Sequence, residues 1–170
     1  MVGTIVTELI LVCIPGFARK VPQNYICLFI FTFFESIVVA TFCAMVNDPF
    51  IVFVAAAMTS VMVVSLTVYA FNTKRDFTQY GSLMMIFLAS LFMMGLFIII
   101  FQSRILHIIY SAAAVFIFGF ILIADTQMLK GGGQYSLSGD DYIIGALMIY
   151  IDIITIFIQL VSLLSQLRGD

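Results

Sequence analysis

The sequence contains no tryptophan, one histidine and three prolines, and its 7 Lys plus Arg and 9 Asp plus Glu make up only 9% of 170 residues. With so few cations and a net charge of -2, it has no basic surface for a phosphate backbone, which excludes nucleic acid as a partner. The three cysteines, Cys13, Cys27 and Cys43, all sit inside apolar runs. Without a CxxC or Cys/His cluster, they read as small buried hydrophobes, and zinc or redox chemistry is not expected. Scarce charge also excludes a disordered chain. What fills the sequence instead is apolar: 64% of residues are hydrophobic, with 18 Phe and 10 Met. That composition describes an integral membrane protein whose interfacial belt must rely on tyrosine.

A membrane-spanning helix needs roughly 20 apolar residues. Six runs approach that length: Val2 to Ala18, Tyr25 to Val46, Phe50 to Phe71, Tyr80 to Phe101, Ile105 to Leu129 and Tyr142 to Leu167. Polar or breaker clusters separate them, among them Arg19-Lys20-Val21-Pro22, Asn47-Asp48-Pro49, the 72–76 cluster and the Gly131-Gly132-Gly133 stretch. The runs lack the alternating polar residues of barrel strands, so residues 1–170 are expected to form one all-α, polytopic bundle of six helices. The loops after the first, third and fifth runs carry Arg19, Lys20, Lys74, Arg75 and Lys130, whereas the other side has Arg104 and Arg168. The richer side is therefore expected to face the cytosol, which puts Met1 on the opposite side. The first run has no basic segment before it and carries Glu8 in its middle, so it does not read as a cleaved signal peptide. No lipidation box or retention tetrapeptide is visible.

The informative residues are four carboxylic acids inside these runs: Glu8, Glu35, Asp125 and Asp152. An ionisable group at bilayer depth is costly and marks a functional candidate. Counted from the Lys-rich loop ends, Glu8, Glu35 and Asp152 each lie about 11 residues in, a depth of roughly 16 Å. Asp125, about five residues before Lys130, is expected to be shallower unless its helix continues into the loop. No Lys or Arg shares their depth. Two carboxylates brought together under those conditions cannot both stay ionised and should hold a shared proton. A bound cation would replace that proton, and carboxylates with neighbouring oxygens are the ligands calcium prefers. Such a site is a pH-sensitive gate.

Glu8 and Glu35 have plainly apolar neighbours and read as protonated groups making interhelical hydrogen bonds. Asp152 is different. The sixth run also carries Thr155, Gln159, Ser162 and Gln166 at spacings of 3, 4, 3 and 4, so all five fall on one helical stripe. A stripe of that length should not face lipid, so the last helix is expected to be enclosed by the others and to line a polar interior. Asp125 opens an acceptor cluster with Thr126 and Gln127. His107 reads as an interfacial residue with no assigned role. Ser111, Ala112, Ala113, Ala114 and Gly119 read as close helix packing.

Three stretches around these acids resemble the transmembrane BAX inhibitor motif-containing family, also called the lifeguard family. They are YAFNTKRDFT from Tyr69, ILIADTQML from Ile121, and SLSGDDYIIGALMIYIDIITIF from Ser136, the most specific of the three. PGFARKVPQNY and FTFFES extend the likeness over nearly the whole chain. The resemblance implies a seven-helix bundle, with one more helix and a cytosolic region before the first run, so the chain reads as a shortened form. It further implies calcium leak from intracellular stores, in the endoplasmic reticulum or Golgi, with the plasma membrane as the alternative location, and suppression of apoptosis. Carried over by position, the gating and ion-binding pair is Asp125 and Asp152. The intramembrane acids Glu8 and Glu35 and the stripe residues Thr155, Gln159 and Ser162, read from their own places in the helices, make a secondary polar or acidic pathway.

The expected function is accordingly a pH-sensitive calcium leak channel that regulates calcium homeostasis, with membrane lipid and calcium as its partners and no cofactor beyond that ion. The alternative is a non-conducting membrane module that modulates an apoptotic regulator or a resident calcium channel. An enzyme is not expected. Intramembrane aspartyl proteases place one Asp in a GxGD motif, and Gly139-Asp140 is preceded by Leu137 and Ser138.

Overall fold

The computed structural model describes residues 20–131, 135–138 and 141–169. The first apolar run, with Glu8 and Cys13, lies outside the described residues. Among those described there is no strand. Five helices follow one another: α1 (Gln23–Ala44), α2 (Pro49–Asn72), α3 (Gly81–Phe101), α4 (Arg104–Lys130) and α5 (Tyr142–Arg168), with a short 3-10 turn at Phe77–Tyr80 before α3. All five are long and apolar enough to cross a bilayer. Their ends fall within two residues of the apolar runs, the widest difference being Gln23–Ala44 against Tyr25 to Val46.

The helix ends follow from local chemistry. Asp48 caps α2 by accepting the Phe50 N–H at 2.9 Å, with Pro49 at the first helical position, where its missing N–H costs nothing. Asp76 caps the 3-10 turn in the same way through Thr78 N–H at 3.0 Å and Thr78 Oγ1–H at 2.6 Å. Lys130 and Arg168 occupy the last turns of α4 and α5, where a cation offsets the negative helix end. Gly131, at φ 77°, ends α4 in a conformation that a side chain would strain.

Successive helices run in opposite directions and give the bundle two ends. Lys20, Lys74, Arg75 and Lys130 mark one; Asp48, Arg104 and Arg168 mark the other, where Arg168 forms an ion pair with Asp48. The two are called the Lys130 end and the Arg104 end below. The α4–α5 pairing is the most extensive; α2 packs on both of these helices, α3 on α4 and α1 on α5. The central cluster joins Ile51 and Ala55 of α2, Leu122 of α4, and Ile156, Leu160 and Val161 of α5. Between lipid-soluble helices such packing, rather than exclusion of apolar surface from water, supplies the attraction. Gly119 allows it at one point, since a Cβ there would lie 2.7 Å from Met62 Cε of α2. The large side chains left outside, such as Phe29, Phe53, Phe92 and Phe116, suit a hydrocarbon surrounding.

α5 is sheltered along most of its length: from Leu147 to Gln166 no residue is fully exposed. Its start is tied to α1, where buried Asn24 donates through Nδ2 to Tyr142 Oη at 3.1 Å and the Tyr25 and Tyr142 rings sit 6.2 Å apart. Cys27 and Cys43 are free thiols, Cys27 buried and Cys43 half-buried.

Candidate functional site

Asp125 and Asp152 face each other across the α4–α5 seam, close enough for their carboxyl groups to interact. Both are buried, with 8% and 3% of their surface exposed. Asp125 is therefore not at a solvated helix end. Two carboxyls this near each other and this deeply buried cannot both stay ionised cheaply, so a shared proton or a bound cation would stabilise the pair. Asp152 Oδ2 and Thr126 Oγ1 remain buried without a hydrogen-bond partner among the described residues, which leaves two oxygens free to meet a cation or its water.

The expected difference in depth between the two acids is corrected by the structure. α4 does end at Lys130, yet Asp125 and Asp152 pair. The reason lies in the connection. Leu137 N–H donates to Met128 O at 3.1 Å, and a Cβ on Gly145 would touch Leu129 Cδ1 at 2.7 Å, so the second turn of α5 lies level with the end of α4. α5 starts beyond α4, and a count from its first residue overstates the depth of Asp152.

Next to the pair, Gln127 is a clamp. Its Oε1 accepts Phe77 N–H at 2.7 Å, and its Nε2 donates to Arg75 O at 2.9 Å and to Ala70 O at 3.5 Å. Lys130 Nζ donates to Phe71 O at 2.7 Å and lies 5.7 Å from the Phe71 ring centroid. These contacts hold the α2–α3 loop against the Lys130 end of α4, and Tyr135 N–H reaches Thr78 Oγ1 at 3.4 Å from the other side. Thr126 and Gln127 were legible as polar residues beside Asp125, but nothing local announces that Gln127 would bind backbone 50 residues away.

The other candidates are dispersed. Glu35 is half-buried on α1 and interacts electrostatically with Tyr150 of α5. Glu8 lies outside the described residues. Along α5 the most buried line is Asp152, Ile156 and Leu160, while Thr155, Gln159, Ser162 and Gln166 are half-buried beside it. The polar stripe thus flanks the inner face rather than forming it. Toward the Arg104 end, Gln159 and Ser162 border a cavity of about 280 Å³ together with His107, Tyr110 and Ser111. Ser111 Oγ donates to Ser162 Oγ at 3.1 Å, so this small residue of α4 also makes an interhelical bond that its surroundings of alanines did not foretell. His107 Nδ1 lies 3.0 Å from Ser103 O.

Among the described residues no group of three or more His, Cys, Asp or Glu forms a metal cage. A calcium ion at the pair would take its remaining ligands from hydroxyl, carbonyl or water oxygens.

Residues 1–169 match the family described as inhibitor of apoptosis-promoting Bax1. Human protein lifeguard 3 is 36% identical over 170 residues, covering 98% of this chain and 53% of its own length. The mouse lifeguard 3 is 34% identical over 166 residues, 95% of this chain and 53% of its own. An uncharacterized protein of Campylobacter jejuni is 32% identical over 155 residues, 89% of this chain and 65% of its own. The chain spans about half the length of the lifeguard 3 proteins it matches. The buried aspartate pair thus sits in a helical membrane protein whose sequence agrees with one family from end to end: the chain belongs to the Bax1-inhibitor, or lifeguard, family.

Proposed function

We propose that this chain provides a pH-sensitive leak pathway for calcium across an intracellular membrane, in the endoplasmic reticulum or Golgi, and through it regulates calcium homeostasis and restrains apoptosis. The observation that carries this reading is the pair Asp125 and Asp152, buried, facing each other and on the two helices that share the largest interface. With one proton shared, the pair carries a single negative charge. Loss of that proton places two like charges in contact, a state that a divalent cation or entering water relieves. Proton and calcium thereby compete for the same oxygens, which makes the pathway respond to pH. Membership of the Bax1-inhibitor family supports the link to apoptosis.

The test is calcium release from liposomes holding the purified chain, measured across a pH series beside Asp125→Asn/Asp152→Asn. The expected result is a leak that varies with pH in the unaltered chain and is flat or absent in the double variant. A double variant that leaks and responds to pH like the unaltered chain would overturn the reading. No leak from either, with correctly inserted protein, would favour a non-conducting module that modulates a channel or an apoptotic regulator.

A further inference from the structure

The inner face of α4 reads Ser111, Val115, Phe118, Leu122, Asp125, with spacings of 4, 3, 4 and 3 that place all five on one stripe. Its two ends are polar and each meets α5: Ser111 bonds to Ser162, and Asp125 faces Asp152. Its middle is apolar, and Val115, Phe118 and Leu122 pack in the same cluster as Ile156 and Leu160. Leu122 and Ile156 have no exposed surface. From Val115 to Leu122 the apolar stretch spans ~10 Å along the helix. One side of it ends at the buried carboxyls, where Asp152 Oδ2 has no hydrogen-bond partner among the described residues. On the other it ends at the cavity bordered by Gln159, Ser162 and His107, roomy enough at about 280 Å³ for several waters.

Resting on the calcium-leak reading above, we infer that the layer centred on Leu122 and Ile156 is a hydrophobic gate, and that the Gln159–Ser162 cavity is the second mouth of the pathway, where a hydrated cation enters from the Arg104 end. An apolar constriction of this length stops ions because it offers no oxygen to replace their water. Amide and hydroxyl groups at the cavity are the hard oxygen donors that a partly hydrated calcium ion accepts. The aspartate pair then acts at one end of a barrier that it does not itself form. Charge on the pair changes the hydration at the lower edge of the layer, and the layer decides whether an ion crosses.

Two measurements on the full chain in liposomes test this. The first is calcium leak in Leu122→Ser and in Ile156→Thr, each adding one hydroxyl to the layer. Leak is expected to rise on the order of tenfold, corresponding to about 1.4 kcal/mol off the barrier. The second replaces the three native cysteines with alanine and compares Gln159→Cys with Phe118→Cys against a membrane-impermeant thiol reagent. Gln159→Cys should react from one side and Phe118→Cys from neither. This arm needs no conduction and keeps the gate testable if the polar variants fail to fold. If the unaltered chain leaks calcium but Phe118→Cys reacts as fast as Gln159→Cys, or folded hydroxyl variants leak no faster, the gate is wrong while the leak stands. If no variant leaks while the labelling pattern holds, the layer is a seal and both the leak and the gate fall.

Discussion

Gln127 Oε1 accepts the backbone N–H of Phe77 at 2.7 Å, and the same side chain returns a hydrogen bond to Arg75 O at 2.9 Å. One buried amide therefore satisfies both polarities of a loop that has no regular structure of its own between α2 and the 3-10 turn. Because Gln127 is two residues from Asp125, it fixes the loop over the end of the α4–α5 seam that bears the carboxyls. In Gln127→Leu, the Phe77 N–H and Arg75 carbonyl would lose their partner near the membrane surface. A group left unsatisfied in this way costs ~1–3 kcal/mol. Melting in detergent should fall accordingly, and trypsin should cut faster after Lys74 and Arg75. Unchanged melting and unchanged cleavage would show that the clamp holds nothing.

The aspartate pair predicts the sign of a pH dependence. Calcium ligands must be deprotonated, so calcium binding by the chain should weaken as pH falls through the titration of the pair and recover as pH rises. In Asp125→Asn the amide can donate a hydrogen bond to the Asp152 carboxylate, so that variant should fold while losing one of the two titratable groups. Isotherms for calcium, or for a lanthanide in its place, across a pH series check both statements. Binding that is independent of pH in the unaltered chain would remove the pair as the site.

How far the sequence carries the structure can be judged from these residues. The helices were legible because length and hydropathy suffice in a bilayer: a segment such as Pro49–Asn72 has no other way to satisfy its backbone in hydrocarbon. The two aspartates were legible because charge at depth is rare. Their pairing was not readable from depth, since that depends on how far α5 starts beyond α4, and Leu137 and Gly145 settle it through contacts that no count of residues contains. The polar stripe on α5 was real, but whether Ile156 or Thr155 points innermost depends on the rotation of the helix against α2 and α4. Gln127 and Ser111 acquire their partners across 50 and 51 positions of chain, beyond the reach of any local pattern.

Gly119 offers a test of the α2–α4 approach. A Cβ there would lie 2.7 Å from Met62 Cε and 3.2 Å from Leu66 Cδ1, both at the far ends of flexible side chains. Gly119→Ala should be accommodated by a turn of Met62, with little change in melting. Gly119→Phe has no such escape and should separate α2 from α4 at a cost of about 1–3 kcal/mol. Thermal unfolding of the two variants side by side is the check. Equal melting for Phe and Ala would mean that the helices are not in close contact at this point.

The two ends of the bundle differ in what their charges do, and that difference predicts orientation. At the Arg104 end the cations are occupied: Arg168 pairs with Asp48, while Arg104 Nε donates to Gln166 O at 2.7 Å and its Nη2 to Leu167 O at 3.3 Å, closing the last turn of α5. At the Lys130 end Lys20, Lys74 and Arg75 are exposed on the surface, where they add to the excess of positive charge that holds a loop in the cytosol. Cysteines placed at Lys74 and at Gln102 should therefore label from opposite faces of the membrane, Lys74→Cys from the cytosolic one. The carboxyl pair, near the Lys130 end, would then sense cytosolic pH, and acidifying that side alone should change calcium flux while acidifying the other should not. Labelling of Gln102→Cys from the cytosol would invert the bundle and assign the proton sensing to the opposite compartment.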